Sequence, residues 1–136
     1  MGGAVGSSPV LCFQNKEGEF DKKIDQTDLN NSSGYEDVDA VFFDADNDGD
    51  QDLYVVSGGN EWRGNSQKYQ DRLYLNDGQG MLNKSPKALP LLTESGSCVR
   101  PFDYDSDGDL DLFVGGRHKP WDYPTPVTSR ILENKS

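Results

Sequence analysis

The chain has 136 residues, enough for one small domain that buries most of the surface its unfolded form exposes. Only 33% are hydrophobic, mean hydropathy is -0.79, and 15 Gly with 7 Pro make it rich in turns; yet the apolar residues gather in short β-branched and aromatic runs, which excludes a solvated low-complexity chain. The 24 Asp and Glu outweigh 13 Lys and Arg, giving a net charge of -11 and a pI near 4.3, so binding to a phosphate backbone is electrostatically opposed and nucleic acid is excluded as a partner.

Residues 1–10 read as a linker, because Met1-Gly2-Gly3-Ala4-Val5-Gly6 lacks the charged start and apolar stretch of a signal peptide. No apolar run along the chain approaches the roughly 20 residues of a membrane span. Residues 11–34 read as the end of a preceding unit: Phe13-Gln14-Asn15, Gly18 and Phe20 echo Tyr74-Leu75-Asn76, Gly80 and Leu82. Cys12 and the distant Cys98 have neither zinc-site nor redox spacing and read as buried thiols. A bridge between them needs a geometry that sequence does not supply.

A first full unit over 35–84 opens with a strand from Val38 to Phe43, passes through Asp44-Ala45-Asp46-Asn47-Asp48-Gly49-Asp50-Gln51-Asp52, and leaves by a second strand from Leu53 to Val56. Arg72 to Asn76 forms a third strand, and the turn Asn76-Asp77-Gly78-Gln79-Gly80 leads to a fourth around Met81 to Lys84. No segment carries a sustained helical period or helix caps. A second unit over 85–136, truncated at its end, repeats the order. Its acidic run, Asp103-Tyr104-Asp105-Ser106-Asp107-Gly108-Asp109-Leu110-Asp111, follows the first at an offset of 59, which also carries Phe43 to Phe102, Leu53 to Leu112 and Trp62 to Trp121. Arg130-Ile131-Leu132-Glu133-Asn134 echoes Arg72 to Asn76 at an offset of 58.

Such a period indicates units that cannot bury their own faces and stack on one another. Four short antiparallel strands per unit is the pattern of a propeller blade. The expected fold is therefore all-β, about two blades of an incomplete ring, either excised from a larger propeller or completed by copies of the chain as a homo-oligomer.

Each acidic run places carboxylates at positions 1, 3, 5 and 9 and Gly at position 6. Alternate spacing lets a turning backbone aim side chains inward, Gly permits the sharp turn, and position 7 offers its carbonyl oxygen. The expected side-chain ligands are Asp44, Asp46, Asp48 and Asp52 in one run and Asp103, Asp105, Asp107 and Asp111 in the other, with main-chain oxygen from Asp50 and Asp109. All-oxygen, multiply charged coordination suits Ca²⁺ better than Mg²⁺, which keeps its waters, and zinc would want His or Cys. An EF-hand needs Glu at position 12 between helices; here that position is Val55 or Val114, and both flanks are β-rich.

Trp62 and Trp121 recur in loops of matching length, with Tyr123 close to the second. Their rings suit stacking on a glycan, and equally a wedge between units, for which recurrence at one repeat position argues. Arg63, Arg117 and Lys119 beside them suit an acidic glycan or a simple offset of the aspartates. The single histidine, His118, lies far from any G-x-S-x-G nucleophile pattern, so a hydrolase triad finds no footing.

Asp44 to Val56, Asp103 to Gly116 and Arg72 to Gly80 together resemble the FG-GAP or VCBS repeats of integrin α-subunit propellers and of many secreted bacterial proteins. The stretch from Ser97 to Pro124 is similar to the bacterial branch that accompanies a UnbV-type domain. The resemblance implies a propeller of roughly seven blades, Ca²⁺ between the first two strands of a blade, and an extracellular, periplasmic or cell-surface setting. The expected role is a non-catalytic calcium-binding module in adhesion or in binding a protein or glycan ligand. The alternatives are a fragment of a carbohydrate-active propeller enzyme and a self-assembling structural element.

Overall fold

The computed structural model describes residues 4–22 and 26–135; 1–3 of the linker segment, 23–25 of the 11–34 segment and residue 136 lie outside the described residues. Among them the strands pair antiparallel in three sheets. β1 (Cys12–Gln14) pairs with β2 (Phe20–Lys22). β3 (Asp37–Phe43), β4 (Asp52–Ser57), β5 (Arg72–Asn76) and β6 (Leu82–Lys84) form a four-stranded sheet in chain order. β7 (Gly96–Phe102), β8 (Asp111–Gly116) and β9 (Arg130–Leu132) form a third sheet. The all-β antiparallel expectation holds. Among the described residues no helix is long and apolar enough to cross a membrane.

The two larger sheets stack through alternate side chains. On β4, Leu53 and Val55 face one way and pack with Leu11, Leu29, Tyr74 and Leu82; Tyr54 and Val56 face the other and pack with Phe43, Leu73, Val99, Leu112 and Val114. A strand covered on both faces has to be apolar throughout, which is why 53–56 is an unbroken apolar run. Each such side chain contributes about 1.5–3 kcal/mol on burial. In the third sheet Leu112 and Val114 point inward, whereas the cross-strand pair Phe113 and Ile131 on the outer face stays 38% and 41% exposed.

The repeat extends to irregularities. The β3–β4 ladder slips between Asp37 and Asp39, and the β7–β8 ladder slips between Gly96 and Cys98, at equivalent positions. Glycine lets the sheets touch there: a Cβ on Gly96 would stand 2.4 Å from Val56 Cγ1, and one on Gly58 would stand 2.8 Å from the Gly96 oxygen.

Three expectations change. The β1–β2 register (Phe13 opposite Asp21, Gln14 opposite Phe20) matches β5–β6 (Leu75 opposite Asn83, Asn76 opposite Leu82), so Gln14 corresponds to Asn76, one residue away from the sequence alignment. The turns set this register. Asn15 Oδ1 accepts from the amides of Glu17 and Glu19 as Asp77 Oδ1 accepts from those of Gln79 and Met81. Second, a single helical turn, α1 (Thr27–Asn30), stands where strand or loop was expected, and a 3-10 turn spans Gln67–Tyr69. The α1 region closes the outer edge of β6. Gln26 accepts from the Leu82 amide at 3.0 Å and donates to the Gly80 oxygen at 2.7 Å, and Asp28 accepts from the Lys84 amide at 2.8 Å. Side chains thus take the place of a neighbouring strand on groups that would otherwise template another chain. Third, Cys12 is exposed, because β1 and β2 form a hairpin whose residues are all exposed, and Cys98 in β7 is half-buried; both are free thiols.

Candidate metal centre

Each acidic run links the first two strands of its sheet, and both coil in the same way. Position 4 is left-handed in each, at φ 59 for Asn47 and 65 for Ser106, as is position 6, at φ 92 for Gly49 and 99 for Gly108. Asn tolerates the left-handed region and Gly favours it. The wiring repeats as well. The amides of Gly49 and Gly108 donate to Asp44 Oδ2 and Asp103 Oδ2 at 3.0 and 3.2 Å, and those of Asp50 and Asp109 donate to Asp48 Oδ1 and Asp107 Oδ1 at 2.9 Å.

Coiling gathers carboxylates. In the first loop one oxygen from each of Asp44, Asp46 and Asp48 lies within 4.8 Å of the others; in the second the same holds for Asp103, Asp105 and Asp111. Asp52 and Asp107 stand outside these triplets. Asp44 Oδ1 is buried without a hydrogen-bond partner, a costly state for an anionic oxygen unless a cation satisfies it. Burial pushes the Asp52 carboxyl up against the pull of the Asn76 and Ala45 amides, and the charges on Asp46 and Asp48 add to the rise. Desolvation and then the charge on Asp107 push Asp105 up. Only hard oxygen donors converge, so the donor set fits Ca²⁺.

Position 9 does more than the sequence indicated. Asp52 is fully buried, with Oδ2 accepting from the Ala45 amide at 2.8 Å and Oδ1 from the Asn76 amide at 2.7 Å. Asp111 repeats this with the amides of Tyr104 and Asn134, both at 2.7 Å. Each carboxylate therefore brackets its own loop to the end of the third strand, while its remaining lone pairs can still meet a cation. Asn76 and Asn134 were legible only as a recurring asparagine at an offset of 58. Asp50 and Asp109 occupy position 7, and Asp109 Oδ1 accepts from Asn47 Nδ2 at 2.5 Å, so the two loops touch. Asn134 Nδ2 also donates to the Ala45 oxygen at 2.9 Å.

The loops joining second to third strands, 58–71 and 117–129, lie at the other end of the sheets, about 20 Å away along six-residue strands. Trp62 is at the border of exposure, its amide and carbonyl both bonded to the hydroxyl of buried Tyr69. Trp121 and Tyr123 are 59% and 83% exposed, so neither packs between the two larger sheets of this chain. The loop holds them outward with its own hydrogen bonds from Lys119 to Thr125 and from Thr125 to Asp122.

Two titrating groups sit at this end. Asp71 accepts from the Tyr54 hydroxyl and the Ser57 amide, both at 2.8 Å, and burial pushes its carboxyl up to about 6. In the second unit Ser129 takes its place, accepting from the Gly116 amide at 3.0 Å. Glu36 is raised to about 7 by sharing a proton with Glu61, then by burial, against the pull of Arg117. Both carboxyls bind protons more tightly folded than unfolded, so the stability they contribute is complete below the unfolded values and is lost as pH rises through 6 to 7. In a chelator, the melting temperature is expected to be several degrees higher at pH 5.5 than at pH 8. Between pH 8 and pH 5.5 buried Asp71 supplies about 1 kcal/mol of this, and Asp71→Asn should reduce the slope of the profile; a flat profile for the unaltered chain would contradict the assignment.

A family model described as FG-GAP-like repeat matches residues 44–114, just over half of the chain. No curated protein and no solved structure matches it.

Proposed function

Because the chain belongs to the family of FG-GAP-like repeats, we propose that it is a calcium-braced pair of β-propeller blades acting as a non-catalytic ligand-presenting module outside the cell, in the periplasm or on the cell surface. The observation that carries this reading is the orphaned, buried Asp44 Oδ1 beside the Asp46 and Asp48 carboxylates. In the first loop Asp44, Asp46, Asp48 and Asp52 hold Ca²⁺ through side chains and Asp50 through its carbonyl. Asp103, Asp105, Asp107, Asp111 and Asp109 do the same in the second. When bound, the ion neutralises carboxylates that repel one another and ties the end of one strand to the start of the next; it takes part in no reaction. Extracellular modules of this kind work against millimolar calcium.

The outer face of the third sheet gives this reading its context. Phe113 is the repeat counterpart of Tyr54, through which the four-stranded sheet packs on its neighbour. In this proposal a further blade, in the same polypeptide or a second copy, covers Phe113 and Ile131.

The test is thermal unfolding with calcium against a chelator. Ligand at one hundred times its Kd adds about 2.7 kcal/mol per site, so two sites are expected to raise the melting temperature by about 10 °C or more. No shift at about 5 mM Ca²⁺, well above the range for such modules, would reject the proposal.

A further inference from the structure

The 58–71 and 117–129 loops form one surface across the two sheets. Asn60 Oδ1 accepts from the Trp121 amide at 2.8 Å, and the Arg63 guanidinium lies 4.9 Å from the centre of the Trp121 ring. The backbone of Trp121 is left-handed at φ 64, an outlier for so bulky a residue, and persists because the bond to Asn60 holds it there. The consequence is a large apolar ring kept in water beside Tyr123, itself edge-on to His118 at 5.7 Å. Strain retained in order to expose apolar surface is a mark of a binding site.

Charge narrows the occupant. The chain carries a net charge of -11, but its acidic runs are at the far end. Arg63 stands over the Trp121 ring and His118 against that of Tyr123, while Arg117 and Lys119 belong to the same loop. The facing acids are Asp122, 3.2 Å from Lys119, and Glu61 with Glu36, which share a proton near neutral pH and face Arg117. Three permanent cations therefore face three carboxylates, so this surface escapes the negative excess that the rest of the chain carries. Flat rings with open faces suit the C–H face of a sugar ring, and a guanidinium stacked on indole keeps its N–H edge free for a carboxylate.

We propose that Trp121, Tyr123, Arg63 and Arg117 form a binding site for an acidic saccharide, one bearing uronate or a comparable anionic group. This rests on the ligand-presenting reading above and names the class of its ligand.

The probe is a hyaluronan hexasaccharide, which alternates a uronate with an N-acetylated sugar, compared with a neutral hexamer of N-acetylglucosamine. Binding to the full chain in calcium is followed by tryptophan fluorescence and calorimetry. The expected result is saturable binding of the acidic hexamer with a change in tryptophan emission, and about tenfold weaker binding of the neutral one. Trp121→Gly removes the ring while suiting the left-handed backbone, so it should melt no lower than the unaltered chain yet bind about tenfold more weakly. Arg63→Gln should weaken only the acidic hexamer. No binding at millimolar saccharide, equal binding of the neutral hexamer, equal binding of an acidic peptide, or full affinity in Trp121→Gly would each overturn the proposal. Calcium-dependent melting, measured on the same samples, reports separately on the metal reading and is untouched by those outcomes.

Discussion

Asp52→Ala is expected to lower the melting temperature by roughly 10 °C in chelator as well as in calcium, which separates its role from that of its neighbours. The carboxylate is fully buried and satisfies two backbone amides, those of Ala45 and Asn76. Truncation strands both donors out of water, and hydrogen bonds to a charged acceptor contribute about 1.5–3 kcal/mol each, so a loss near 3 kcal/mol follows without any metal. Asp46→Asn behaves differently. Asp46 is exposed, and in chelator its removal relieves repulsion from Asp44 and Asp48, leaving stability unchanged or slightly higher. In calcium it removes one negative charge from the donor set while leaving an amide oxygen, so the calcium-induced rise in melting temperature should shrink. The check is a pair of melts for each variant, with and without the ion. If Asp52→Ala melted like the unaltered chain in chelator, the bracket would be dispensable and position 9 would be a ligand alone.

The bracket made by Asp52 marks how far the sequence could be read. The strands were legible because Val38 to Phe43, Leu53 to Val56 and Arg72 to Asn76 combine β-branched and aromatic residues with bounding turns, and the repeat confirmed each against its counterpart. The coiling of the acidic loops was legible because the same aspartate spacing, with Gly at position 6, recurs in both runs. What stayed hidden depends on residues far apart in the chain. Gln26 and Asp28 close the edge of β6 from 56 residues away, and no local pattern announces a side chain standing in for a strand. The equivalence of Trp62 and Trp121 was sound as sequence but not as environment: one is braced by Tyr69, the other is held outward by Asn60. The one-residue slip at β1 arose because the aromatic residues dominate an alignment, whereas Asn15 at the turn sets the register.

The repeat also supplies an internal control for the largest expected loss, that of Arg72→Met. Arg72 and Asp37 are paired with side-chain exposures of 0% and 3%, the guanidinium carbon lies 4.4 Å from the centre of the Tyr35 ring, and Arg72 Nε, Arg72 Nη1 and Asp37 Oδ2 have no hydrogen-bond partner. Such a pair recovers its desolvation cost poorly, so its value lies in neither member being left alone. Arg72→Met leaves the Asp37 carboxylate buried and uncompensated, and should cost about 3–5 kcal/mol. Adding Asp37→Leu removes the stranded charge, and the double variant should regain at least half of that loss. Arg130, the repeat counterpart of Arg72, pairs instead with Glu94, which stands at the place of Tyr35, because Gly96 replaces Asp37. Side-chain exposures of 25% and 32% let water screen the pair, so Arg130→Met should cost no more than about 1 kcal/mol. Denaturant melts of these three variants and the unaltered chain provide the test. A double variant no more stable than Arg72→Met would show that the arginine acts through packing on Tyr35 instead of through its charge. Equal losses at Arg72 and Arg130 would show that burial does not set the difference between the two blades.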